Sequence, residues 1–173
     1  MTELLILRPS TSADLAEIDA LLARSYPRLL AGDYPPSVMV LALPLIARAR
    51  PELLASGTYW LAQEADGRIV GAGGWTRAAP QPTEGDGAGT GHVRHVVTDA
   101  DCVRRGIGRA LMSRVMEQAR EAGVQRLDCL STRTAVPFYA SLGFREMGAL
   151  EVPLRPGIVF PAVRMVRGLD APA

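Results

Sequence analysis

Lysine is missing from this chain, and all 19 basic residues are arginine. Its absence excludes a Schiff-base lysine. It also excludes a nucleotide-triphosphatase loop, since G-x-x-x-x-G-K-[S/T] needs its lysine at the phosphates. Cysteine is scarce. Cys102 and Cys129 are the only two, which rules out a disulfide framework and a cysteine metal site, and they read as reduced packing thiols of a cytoplasmic protein. A formal net charge of +1 gives no electrostatic case for nucleic acid or another polyanion. Long apolar runs are absent too. The greasiest stretch, residues 38–47, is short and contains Pro44, so no membrane span is expected. The segment from Met1 to Pro9 lacks the basic lead and apolar region of a signal peptide.

With 173 residues, 48% hydrophobic and 21% charged, the chain reads as one soluble domain over 1–173, long enough to bury a full core. Leu4 to Leu7 predicts a short strand. Thr11 with Asp14 is a helix-start signal, and Leu15, Ile18, Leu21 and Leu22 form one face of a helix that weakens near Tyr26-Pro27. A second helix is predicted from Pro35-Pro36, kinked or restarted at Pro44. Residues 58–63 and 69–75 predict a hairpin turning at Ala65-Asp66-Gly67. The Gly-, Pro- and acid-rich stretch 78–91 reads as a mobile loop. A strand over 92–98 follows, then a helix through Ile107, Leu111, Val115 and Ala119 ending at Gly123. Residues 126–131 predict a strand, 135–142 a helix, and 144–150 and 158–166 two closing strands around a Pro153–Pro156 turn. Direct strand-to-strand hairpins exclude an all-parallel sheet, leaving a mixed α/β order.

The run Val103-Arg104-Arg105-Gly106-Ile107-Gly108-Arg109, between strand and helix, carries the most information. Its glycines allow a sharp turn with consecutive N–H groups pointing outward, where a helix N-terminus already supplies unpaired donors. Flanking arginines add charge-assisted bonds, so the turn suits a phosphate or pyrophosphate. A dinucleotide fingerprint is disfavoured, because Leu111 stands where its third glycine belongs. The stretch from His92 to Phe144 resembles the Gcn5-related N-acetyltransferase (GNAT) superfamily. Its signature is [Q/R]-x-x-G-x-[G/A] at a strand-to-helix turn, and many members add a downstream F-Y-x-x-x-G-F, matched by Phe138-Tyr139-Ala140-Ser141-Leu142-Gly143-Phe144. The chain departs from the pattern at Val103, usually Gln or Arg, and at Thr132, often an Asn that touches the cofactor.

The resemblance implies a GNAT-like fold, a mixed and mostly antiparallel sheet of about six or seven strands flanked by about four helices. It implies acetyl-CoA as cosubstrate, no metal, and transfer to a primary amine of a small molecule or peptide by direct attack in a ternary complex. Arg104, Arg105, Gly106, Ile107, Gly108 and Arg109 would cradle the pyrophosphate. Val96, Val97 and Thr98 would pair by main chain with the pantetheine arm, with Thr132 as a further cofactor contact.

Tyr139 is the expected general acid, a phenol near 10 facing a thiol near 8.5. His92 is the expected base, with His95 and Asp128 behind it. Alternation puts His92 and Arg94 on one face and His95 on the other unless a bulge intervenes. Neither cysteine has an activating motif, which disfavours an acetyl-cysteine route. The acceptor pocket is expected around residues 24–37 and 151–157, with Tyr26, Asp33, Tyr34, Glu151 and Arg155 within reach. A homodimer is open by analogy. The alternative from another class is a catalytically silent acyl-CoA-binding regulator of the same fold, which would have no use for an acid at Tyr139.

Overall fold

The computed structural model describes residues 4–81 and 87–170. Its strands are β1 (Ile6–Pro9), β2 (Tyr59–Gln63), β3 (Ile69–Thr76), β4 (Thr90–Thr98), β5 (Arg126–Ser131), β6 (Arg145–Arg155) and β7 (Ile158–Gly168). The helices are α1 (Leu15–Leu30), α2 (Pro36–Ile46), α3 (Pro51–Leu54), α4 (Ile107–Glu121) and α5 (Val136–Ser141). The strands form one seven-stranded sheet in the order β1-β2-β3-β4-β5-β7-β6. Every adjacent pair is antiparallel except β4–β5. This is the mixed, mostly antiparallel α/β sheet expected, with the four-residue α3 added to the helices.

Side-chain alternation sorts the core onto the two faces of the sheet. On β2, Trp60 and Ala62 join α4 and α5, while Tyr59 and Leu61 join α1 and α3. Helix α4 buries Ile107, Leu111, Met112, Val115, Met116 and Ala119, the stripe its periodicity predicts. The Gln118 side-chain oxygen accepts from the indoles of Trp60 (2.9 Å) and Trp75 (3.1 Å), locking α4 over β2 and β3. A third cluster seats α2 on the sheet through Met39, Ala42 and Phe160.

Three sequence expectations change. Helix α1 runs through Pro27 to Leu30 without the weakening expected at Tyr26. Helix α2 likewise continues through Pro44. Strand β6 passes Pro153 and reaches Arg155, so the hairpin turns at Pro156-Gly157, with Gly157 at φ 79°. A proline on an edge strand needs no ladder donor, which explains that extension. Part of the loop expected over 78–91 lies outside the described residues.

Helix α4 approaches β3 closely because Gly71 has no side chain. A Cβ there would lie 2.7 Å from the Ile107 methyl and 3.0 Å from Leu111. Gly71→Val is therefore expected to destabilise the fold by about 1–3 kcal/mol in urea unfolding. Gly32→Ala, which meets open space, should change stability by less than about 0.5 kcal/mol.

Candidate active site

Strand β4 pairs with β5 only from Thr90 to His92, opposite Arg126 to Asp128. Beyond His92 it stays bonded to β3 as far as Thr98, so its other edge opens into a gap. A bulge marks the departure. Register slips where Ala72 pairs with Val97 but Gly74 pairs with Arg94. His95 takes φ 45°, and the Tyr59 hydroxyl donates to its carbonyl at 2.7 Å. A bulge bends its strand and raises the local twist. This one breaks alternation, so that Val93, Arg94, His95 and Val96 all line the same cavity.

Two cavities of about 560 Å³ each flank the gap. The first is walled by β4 residues with Arg50, Glu52, Val152, Leu154 and Phe160 among others. The second runs along Val96, Val97 and Thr98 to Val103, Arg104, Gly106, Ile107, Gly108 and Arg109. Tyr26, Val96, Thr132, Ala135 and Tyr139 border both. The two chambers meet at a pair of phenols.

In the second cavity Arg104 (φ 64°) and Gly106 (φ 77°) adopt left-handed backbone, which only glycine reaches without strain. The first intrahelical bond runs from the Ala110 N–H to the Gly106 carbonyl at 3.0 Å. The amides of Ile107, Gly108 and Arg109 are thus the orphan donors of α4, aimed at the cavity with the positive end of its dipole. Arg104 lines this cavity, and Arg109 lines it while donating to Ser141 at 3.2 Å. Arg105 turns away from it and reaches Glu64 at 3.2 Å. A Cβ on Gly108 would meet the Phe138 ring at 3.0 Å, so this glycine serves close packing of α5 as well as backbone exposure.

Asp99 ties the turn to the core. It is fully buried, and its carboxylate accepts from Arg24 (Nε 3.0 Å), Arg68 (2.9 Å) and the Asp101 amide (3.0 Å). Burial by itself would raise its pKa, but the Asp101 amide and the two guanidiniums outweigh that and hold it below the ordinary value.

Tyr139 is buried between Phe138 and Phe144, at 5.2 and 5.3 Å between ring centroids. Burial, with the neighbouring Cys129 thiol, pushes its phenol well above 10. Burial pushes Tyr26 up to about 12. Both are hydroxyl donors at any working pH. Cys129 is also raised to about 12, chiefly by burial, so it is a thiol and not a nucleophilic thiolate.

His92 is placed differently from the expected base. It is buried in the stretch of β4 still paired on both sides, and it lines neither cavity. His95 takes its place in the wall through the bulge. Asp128 is buried and bound by Arg164 (Nε 2.9 Å), a structural ion pair. Thr132 borders both cavities while its hydroxyl oxygen accepts the Ala135 amide at 3.2 Å.

Of the expected acceptor residues only Tyr26 lines the first cavity. Tyr34 donates to the Pro161 carbonyl at 2.7 Å, and Asp33 accepts from Thr134. On β6, Val152 and Leu154 face the cavity rather than Glu151 and Arg155, a consequence of period two. Arg50, Glu52 and Arg94 are wall residues that no motif flagged.

A family profile described as an acetyltransferase (GNAT) domain matches residues 43–163. A glucosamine 6-phosphate N-acetyltransferase of Trypanosoma brucei brucei is 37% identical over 79 residues, 46% of this chain and 52% of that protein. The chloroplastic serotonin N-acetyltransferase 2 of Oryza sativa subsp. japonica is 33% identical over 97 residues, 56% of this chain and 46% of its own length. The chain thus spans about half the length of these curated relatives. The fold is shared with a GCN5-related N-acetyltransferase from Rhodopseudomonas palustris (TM-score 0.77, 20% identity, 98% of each chain). It is shared too with the PaiA N-acetyltransferase of Thermoplasma acidophilum in complex with coenzyme A (TM-score 0.69, 14% identity, 95% and 99%).

Burial, then Arg94 and Arg50, lowers the His95 imidazole from 6.5 to about 4. Its ring is expected to stay neutral from pH 8 down to 5 in an NMR titration of the free protein. An inflection near 6.5 would show that the bulge does not enclose it.

Proposed function

This chain belongs to the GNAT acetyltransferase family, and on that basis we propose that it transfers an acetyl group from acetyl-CoA to a primary amine of a small molecule or peptide. Both reactants are bound together, and residues 1–173 act as one catalytic unit. The observation that carries this reading is the meeting of the two cavities at Tyr26 and Tyr139. One chamber is lined by orphan amides, arginines and an unpaired strand edge. The other is lined by side chains able to select an acceptor. The donors suit a long, phosphate-bearing carrier, since the β4 edge from Val96 to Thr98 offers main-chain bonds and the turn at Arg104–Arg109 offers N–H groups to a diphosphate.

When bound, the cosubstrate supplies the acetyl thioester. The chain contributes placement and proton management. Tyr26 and the open β4 edge present donors where negative charge develops on the carbonyl oxygen. The amine nitrogen forms the new C–N bond and the C–S bond breaks. The departing sulfur shares the Tyr139 proton. Held above its ordinary range by burial, the phenol stays protonated as a hydrogen-bond donor and gives up its proton only as charge accumulates on sulfur. On the amine side, neutral His95 accepts the proton that turns acidic as nitrogen bonds to carbon, directly or through cavity water. At about 4 it is too weak to strip an ordinary ammonium, so the amine must arrive neutral. Buried, protonated Cys129 supports direct attack over an acetyl-cysteine route. A silent binder would need neither Tyr139 at the junction nor His95 in the acceptor wall, which favours the enzyme.

A thiol-release assay with acetyl-CoA and an amine panel tests the reading. Tyr139→Phe is expected to lower kcat about a hundredfold with coenzyme A affinity unchanged by calorimetry. Gly106→Val, forced into left-handed backbone, should weaken coenzyme A binding instead. Rate against pH should climb with deprotonation of the amine and show no inflection near 6.5 from His95. Full activity in Tyr139→Phe would remove the assigned acid, and tight coenzyme A binding by Gly106→Val would remove the assigned cradle.

A further inference from the structure

The acceptor cavity has an unbalanced wall. Among the described residues its ionisable side chains are Arg50, Arg94 and Glu52, with neutral His95, Tyr26, Tyr139 and Cys129. Most of the remaining wall is apolar, including Ile46, Val93, Val152, Leu154 and Phe160. Arg94 is half-buried. One of its terminal nitrogens donates to the Thr76 hydroxyl at 3.0 Å. Among the described residues, no carboxylate is in ion-pair contact with Arg94 or Arg50. The cross-strand neighbour of Arg94 is Gly74, which offers no side chain to meet it. Burial and the adjacent Arg50 both act against its charge, with Glu52 opposing them weakly from an exposed position.

A half-buried guanidinium with no carboxylate bound to it is partly stripped of water at a cost. The same group becomes favourable once an anion arrives. Its planar fork matches the paired oxygens of a carboxylate or phosphate. Among the described wall residues, a cationic acceptor would meet two guanidiniums against one exposed carboxylate, and a neutral one would bring Arg94 no counter-charge.

Resting on the transferase reading above, we propose that Arg50 and Arg94 form a recognition pair for an anionic group, phosphate or carboxylate, on the amine acceptor. The bulge sets Arg94 beside His95 in the same wall, so the anion is gripped next to the point where the amine loses its proton. The acceptor is then a small molecule carrying an amine and an acid group. One of the relatives is named for such a compound, glucosamine 6-phosphate; serotonin, in the name of another, has no acid group.

Acetyl-CoA thiol release with matched amines tests this: glucosamine 6-phosphate against glucosamine, phenylalanine against phenylalanine amide, and putrescine as a dication. The anionic member of at least one pair should be favoured at least tenfold in kcat/KM, and which pair responds separates phosphate from carboxylate. Arg94→Gln should cut that preference about ten- to hundredfold, mainly through KM, with coenzyme A affinity retained. Because Arg94 is half-buried and its loss could disturb the fold, the exposed Arg50→Gln gives an independent arm with the same expected direction. Preference for putrescine or for the uncharged members, or a ratio unmoved in both variants, overturns the proposal while leaving the transferase reading intact. Failure of every amine despite coenzyme A binding overturns the transferase reading, and this proposal with it.

Discussion

The parting of β4 from β5 is the constraint on which this molecule turns. A parallel pair that zipped along its whole length would satisfy both edges and leave no room for a ligand. Here pairing stops at His92 and Asp128, and the bulge at His95 keeps it stopped by twisting the strand. The bulge itself is pinned from the opposite face, where the buried Tyr59 hydroxyl holds its carbonyl. Beyond Asp128, β5 carries on with β7 alone, and Arg164 of β7 holds the Asp128 carboxylate at the branch point. Packing against α1 on one face and a carboxylate anchor on β5 thus produce one open strand edge between two chambers.

The electrostatics follow from that opening. Burial pushes the groups at the junction and in the adjoining wall toward their neutral forms. The phenols of Tyr26 and Tyr139 at the junction remain phenols, while Cys129 remains a thiol and His95 an unprotonated imidazole in the wall of the first cavity. Among the described residues, the junction itself carries no fixed charge. Orphan amides and arginines gather at the α4 terminus in the second cavity, while Arg50 and Arg94 stand in the wall of the first. Buried Asp99, holding Arg24 and Arg68, joins α1 to the segment leading into the glycine turn before α4.

Local signals in the chain were readable where local physics decides the outcome. The stripe Ile107, Leu111, Val115 and Ala119, the hairpin flanking Gly67, the strand at 126–131 and the turn at Gly106 needed only periodicity and glycine chemistry. Helix α1 running past Pro27 was hidden, because tertiary packing of Leu30 and its neighbours outweighs a lost hydrogen bond. The placing of His95 rather than His92 in the cavity wall was not fixed by the sequence pattern for another reason. Alternation gives the parity of a strand, and a bulge reverses it without any composition of its own; the left-handed φ at His95 comes with a hydrogen bond from Tyr59, a residue far away in sequence. Arg50, Glu52 and Arg94 carry no motif. They become a group only when α3, β4 and β6 are assembled around one cavity, and nothing in their spacing along the chain announces it.

The central claim is that the unzipped edge of β4 and the first amides of α4 together grip an acyl carrier. Hydrogen–deuterium exchange of the intact protein, with and without coenzyme A, reads those amides directly. Slowed exchange should be concentrated in residues 93–98 and 106–109, the edge and the turn at once. Unchanged exchange in both segments at saturating coenzyme A, or protection confined to other parts of the sheet, would contradict the account.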